Sequence, residues 1–225
     1  MRPEVPLPAT VCWAWHRWAD AEPAALAPTE RAGLSPHAVV KRQQEYTAGR
    51  LAARAALARL GLDPPPPVRR GPDRAPGWPP GVVGAITHAD GLALAAVAWR
   101  RDHGGLGIDL EHAGGVRRMA IADRVADPAE RAWIQHGPDP RRRLAALFSA
   151  KEAVYKALYP RVGRYFGFGA VSGRFDAAAG AFDFTLCEPL GPGYAVGALV
   201  RVPVRWQGER VLTTLCLPPD PPEVP

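Results

Sequence analysis

His103-Gly104-Gly105-Leu106-Gly107-Ile108-Asp109-Leu110-Glu111 is the stretch on which the fold turns. Its first three residues form a glycine-rich turn, and Leu106 to Glu111 then alternates as a strand. Alternate side chains of a strand share a face. Asp109 and Glu111 therefore point together, while Ile108 and Leu110 point to the opposite, buried side. Two carboxylates on one face repel each other unless a cation sits between them. Hard oxygen ligands of this kind suit magnesium, which takes one or two carboxylates plus substrate phosphates and water. By itself the pattern is also that of a solvated edge strand with two surface acids.

The chain before this point reads as strand, helix and strands, and the chain after it as strand, helices and strands. Val11 to Trp15 is a strand. Ser35-Pro36 suggests an N-cap with proline in the first helical position, opening a helix from about His37 to Leu60. Gly61 stops that helix, and Gly49 inside it suggests a close approach. Residues 63–81, DPPPPVRRGPDRAPGWPPG, form a loop. GAITHADGLALAAVAWR follows as strand, turn and strand, with the turn at His88-Ala89-Asp90-Gly91. Beyond the central strand, Asp127-Pro128-Ala129-Glu130 and Asp139-Pro140 are two helix starts. The second of these helices is expected to end at Tyr159, before Pro160. Short strands follow from Phe166, and the chain closes in the proline-rich PPDPPEVP. The expectation is an α+β protein of two similar halves, divided as 1–104 and 105–225.

Two further segments carry chemistry. In Phe148-Ser149-Ala150-Lys151-Glu152-Ala153-Val154-Tyr155-Lys156, Glu152 and Lys156 are helical neighbours. Leu144, Leu147, Phe148, Tyr155 and Leu158 make the buried stripe. Glu152 suits a third metal ligand or a general base, and Lys151 and Lys156 suit phosphate oxygens. An ordinary salt bridge on an amphipathic helix has the same pattern. However, these are two of only three lysines in a chain that otherwise uses arginine, so a compact ammonium is wanted there. In Gly84-Ala85-Ile86-Thr87-His88, the histidine suits a phosphate, or a turn held to backbone. Arg42, Arg50 and Arg54 on the first helix and Arg69, Arg70 and Arg74 in the loop add guanidinium forks that match phosphate geometry. A solvated basic face would look alike.

Composition sets outer limits. Arg and Lys total 28 against 22 acidic residues, a formal charge of +6. This suits an anionic partner: a phosphate-bearing ligand, an acidic protein or nucleic acid. Cys12, Cys187 and Cys216 have neither metal nor redox spacing and read as reduced thiols of a cytoplasmic protein. MRPEVPLPAT lacks the apolar core of a signal peptide. The longest apolar stretch, Leu92 to Trp99, is too short to span a membrane.

Taken in this order, the pieces resemble the 4'-phosphopantetheinyl transferase superfamily. The likeness is to its monomeric two-lobed branch, with enterobactin-pathway-like and mycobacterial-type enzymes the nearer relatives. It spans Lys41 to Phe168 through KRQQEYTAGRLAARAAL, RAPGWPPGVVGAITHADGLALAAVA, GIDLEHAG, LFSAKEAVYKALYP and GRYFGFG. The resemblance implies a pseudo-dimer of two lobes with the active site in the cleft between them and the pantetheine arm running outward. It implies magnesium on Asp109, Glu111 and Glu152, with manganese fitting the same ligands. It implies catalytic roles for Glu152 and Lys156. Coenzyme A contacts would come from Arg42, Arg50, Arg74, Thr87, His88, Asp109, Lys151 and Lys156. Ala85 departs from the family, which usually has serine there. Arg74 stands where relatives use lysine, with the charge kept. The implied partners are coenzyme A and acidic carrier proteins of fatty-acid, polyketide, siderophore or nonribosomal-peptide synthesis, with neither nucleic acid nor membrane. A metal-dependent nuclease or phosphohydrolase, and a non-enzymatic basic binding module, are the alternatives.

Overall fold

A computed structural model gives the fold, and it describes residues 5–71, 73–114 and 121–219. The end of the proline-rich tail, beyond residue 219, lies outside them. The chain is α+β and divides into two compact units. One comprises Pro6–Leu106 with the chain from Cys216 onward, and the other is Gly107–Leu215.

The first unit is a three-stranded antiparallel sheet with one long helix on it. Strand β1 (Cys12–Arg17), helix α1 (Pro28–Arg31), helix α2 (Val40–Arg59), the two-residue strands β2 (Arg69–Arg70) and β3 (Pro76–Gly77), β4 (Val82–Ala89) and β5 (Leu92–Trp99) follow in order. The sheet order is β1-β5-β4. Ala14, Ala52, Ala53, Ala56, Leu57, Val82, Ala95 and Val97 form the core between helix and sheet. Its small side chains bring the helix close: a Cβ on Gly49 would sit 3.1 Å from Ile86 Cγ2.

Two local expectations change here. Helix α2 begins at Val40, with Val39 as an N-cap that offers no side-chain bond. Ser35 instead accepts from the His37 amide in a turn before the helix. The β4–β5 connection is tighter than expected, because Ala89 pairs with Leu92. His88 and Ala89 therefore belong to the strand, and only Asp90 (φ 48°) and Gly91 (φ 79°) turn. Two positive-φ residues make the two-residue hairpin loop that matches strand twist.

The second unit holds β6 (Gly105–His112), α3 (Ala122–Val125), α4 (Pro128–Gln135), α5 (Pro140–Val162), β7 (Val171–Asp176), β8 (Ala181–Leu186), β9 (Leu199–Gln207) and β10 (Arg210–Leu217). Its sheet order is β6-β10-β9-β8-β7. Helix α4 starts with the expected capping box, Asp127 accepting from the Glu130 amide. Helix α5 runs through Pro160 to Val162 and stops at Gly163 (φ 66°). A proline in the last turn removes one helical bond, but a left-handed glycine is what ends the helix. Helix α5 is buried almost all round: Ala145, Ala150, Ala153, Val154 and Ala157 join Leu144, Leu147 and Leu158 inside. Trp133, Phe175, Phe182 and Phe184 form an aromatic cluster with ring centroids 5.0–5.5 Å apart.

The units repeat one device. Pro28-Thr29-Glu30 and Pro128-Ala129-Glu130 each open a short helix, and both glutamates are buried. Glu30 accepts from the Ala27 and Val68 amides. Glu130 accepts from the Asp127 and Gly173 amides. No helix among the described residues is long and apolar enough to cross a membrane.

Candidate active site

In the second unit, β6 and α5 bring the chemistry together. They approach closely because residue 107 is glycine: a Cβ there would overlap the Ala153 carbonyl and stand 2.8 Å from its carbon. Ser149 ties the same two elements, donating to the Asp109 carbonyl at 3.1 Å and meeting Thr213 Oγ1 at 2.9 Å. Asp109 is only 5% exposed. Lys156 Nζ donates to its Oδ1 at 2.7 Å and to the Ile108 carbonyl at 3.2 Å. The ammonium thus rests on one of the acids.

Glu152 stands one helical turn before Lys156 and is half-buried. Burial pushes its carboxyl pKa upward, and the Asp109 charge adds to that, while the Lys156 ammonium pulls the other way. Asp109, Glu152 and Lys156 therefore act on one another. Glu111 lies two residues along the strand, with Oε2 3.3 Å from the His112 amide that donates to it. Among the described residues, no group of three or more His, Cys, Asp or Glu side chains is drawn together tightly enough to form a preassembled metal cage. The donor set still fits magnesium, because that ion needs only one or two protein carboxylates when substrate phosphates complete its shell.

A cavity of about 150 Å³ is lined by Lys151, Glu152, Tyr155, Tyr165, Phe166, Gly167, Phe168 and Val171. Tyr155, expected in the buried stripe, is one of its walls; its ring lies 4.8 Å from that of Phe166.

Lys151, read from the sequence as a phosphate contact, is 3% exposed. Its three donors go to Glu130 Oε2 at 2.7 Å, the Val125 carbonyl at 2.9 Å and the Phe168 carbonyl at 3.2 Å. These three acceptors match the three donors of an ammonium. Glu130 escaped the sequence reading because the third helical position explained it as a cap. Its burial, visible only in the fold, gives it a second role.

In the first unit, Arg50 is buried beneath the Tyr46 ring, 4.5 Å from its centroid, and its Nε has no hydrogen-bond partner among the described residues. Burial lowers its guanidinium pKa, opposed by Tyr46 and Glu30. A charged donor held this way fits an anionic ligand. Arg42 is exposed and pairs loosely with Glu45 at 3.5 Å. Arg74 is exposed on its loop in a left-handed conformation, φ 71°. Thr87 and His88 are adjacent on β4 and so face opposite ways. Thr87 is buried and His88 exposed, its ring 6.1 Å from Trp18. Ala85 is buried on the Thr87 face. Trp78 crosses Gly84, donating Nε1 to its carbonyl at 2.9 Å. A Cβ on Gly84 would meet the indole at 2.9 Å.

Within the second unit, Asp109, Glu152 and Lys156 stand together, and acids beside an ammonium are groups suited to a phosphorylated substrate. Residues 30–98 match the N-terminal domain of 4'-phosphopantetheinyl transferases, and residues 105–192 match the 4'-phosphopantetheinyl transferase superfamily. The chain is 42% identical to 4'-phosphopantetheinyl transferase Svp of Streptomyces mobaraensis, over 88% of this chain and 82% of that protein. It is 40% identical to 4'-phosphopantetheinyl transferase PptT of Mycobacterium tuberculosis over 65% of each chain. With enterobactin synthase component D of Salmonella typhi it shares 37% identity over 54% of this chain and 50% of the other. This chain belongs to the 4'-phosphopantetheinyl transferase superfamily. The nuclease and binding-module alternatives fall with that membership.

Proposed function

We propose that this chain transfers the 4'-phosphopantetheine moiety of coenzyme A to a serine of an apo carrier protein, in a magnesium-dependent reaction that releases 3',5'-ADP. The serine oxygen forms a bond to the β-phosphorus, and the bond from that phosphorus to the bridging oxygen breaks. Such a transfer needs positioning and charge neutralisation more than covalent help.

The observation that carries this reading is the mutual placement of Asp109, Glu152 and Lys156. Glu152 takes the serine proton, directly or through a water. A carboxylate whose pKa is pushed up by burial is a stronger base than a solvated one. Lys156 moves its charge from Asp109 to the transferring phosphate. Asp109 and Glu152, with Glu111, would hold magnesium, which supplies charge neutralisation on the pyrophosphate when bound. The aromatic cavity beside Glu152 suits the flexible, largely apolar pantetheine arm. Arg50 suits a phosphate of the nucleotide, with Arg42, Arg74, Thr87 and His88 as its companions.

The formal charge of +6 favours an acidic carrier. Carriers of polyketide, nonribosomal-peptide, siderophore or fatty-acid synthesis, with this chain acting as a cytoplasmic monomer, are the natural candidates. Intact-mass analysis of an apo carrier incubated with the protein, coenzyme A and magnesium tests the reading, with Glu152→Gln as the control. A gain of one phosphopantetheine, dependent on metal and lost in the control, is expected. No gain with any carrier, together with no coenzyme A binding, would sink it.

A further inference from the structure

Lys151 and Glu152 are neighbours in sequence with opposite surroundings. The Lys151 and Glu130 side chains are each 1% exposed. The acceptors of Lys151 belong to three separate segments: the end of α3, the first turn of α4 and the turn before β7. Glu130 is itself fixed, its Oε2 accepting also from the Asp127 amide and its Oε1 from the Gly173 amide, both at 2.8 Å. Ser172 donates to Asp127 at 2.6 Å and closes the network.

A dry ion pair is a poor source of stability, because desolvation offsets its attraction, and apolar residues of similar volume often serve as well. What the ammonium adds is direction. Its bond to the Phe168 carbonyl fixes a residue whose ring lies 5.6 Å from that of Phe148 and which lines the cavity beside Glu152. One side chain therefore ties the turn of α5 that bears Glu152 to the facing wall of the cavity.

We infer that the Lys151–Glu130 pair is a positioning element of the transfer reaction, setting the spacing between Glu152 and the Phe168 wall so that the pantetheine arm is held in register. This rests on the function proposed above. It predicts that loss of the pair weakens recognition of the arm and leaves recognition of the nucleotide alone.

The test is the double variant Lys151→Met/Glu130→Gln, which removes both buried charges at nearly constant volume, beside Glu130→Gln alone. Circular dichroism and thermal melting establish folding. Calorimetry without metal then measures binding of coenzyme A and of 3',5'-ADP, which lacks the arm. The expected result is a folded double variant that binds coenzyme A about tenfold more weakly, with 3',5'-ADP within twofold of wild type. With magnesium and carrier, kcat falls by about 10²-fold, the scale of a misplacement of about 1 Å. Equal weakening of both ligands, or no change in either, overturns the inference and leaves the pair a fold staple. If neither variant folds, the pair is inseparable from stability and the inference falls as well. A wild-type protein that binds no coenzyme A and modifies no carrier refutes the transferase reading instead.

Discussion

Glu152 is a half-buried acid beside a second acid and a lysine. Its carboxyl is pushed above the usual value of 4.5 by burial and by Asp109. A folded-state pKa above the unfolded one means that the folded protein binds more protons in that window, so stability falls as pH rises through it. In chelator-treated protein, Glu152→Gln is therefore expected to melt above wild type at pH 7. The gap should close as pH drops below about 4.5, where the wild-type acid is also neutral. Melting curves across pH check this, and a gap that does not depend on pH would contradict it. Lys156 answers a different question. If its charge meets the transferring phosphate, Lys156→Ala should lower kcat by about 10²–10³, the usual effect of removing one electrostatic stabiliser. Steady-state kinetics with a saturating carrier decide the matter.

At the scale of elements, the contact between β6 and α5 governs the site. Gly107 lets the strand backbone lie against the Ala153 carbonyl, and Ser149 bonds the Asp109 carbonyl from the helix side. Gly107→Ala should cost about 3 kcal/mol, the upper range for overpacking, because the obstacle is backbone that cannot swing away. A fall in the urea midpoint measures it. A variant as stable as wild type would mean the two elements separate freely. The strand at Asp109 and Glu111 and the capping box at Asp127 were legible, since each is a local pattern with a local cause. The reach of α5 past Pro160 was not, because a left-handed glycine three residues on decides the end. Tyr155 was placed in the core by its helical period, but the cavity takes it.

For the whole molecule, charge is the readable property. With a formal charge of +6, association with an acidic carrier is expected to weaken as salt shortens the Debye length from about 10 Å at 0.1 M to about 3 Å at 1 M. KM for the carrier should rise steeply over that range, with kcat changing much less. A KM for the carrier insensitive to salt would remove electrostatics from partner choice. The two units share a buried glutamate after a Pro-x-Glu helix start, although their sheets differ in size. No exact sequence repeat announces this likeness, because burial is a property of the folded chain.

By itself, the sequence determined the α+β composition and the order of elements. These follow from periodicity, capping and residue chemistry, all of which act over a few residues. Only the tertiary structure decided what each charged group faces. Two lysines five residues apart on one helix part company there. Lys156 meets Asp109 at the site, while Lys151 turns inward to Glu130 and the Phe168 carbonyl. The physical reason is that a buried ammonium requires partners for all its donors, and those partners are brought together by segments distant in sequence.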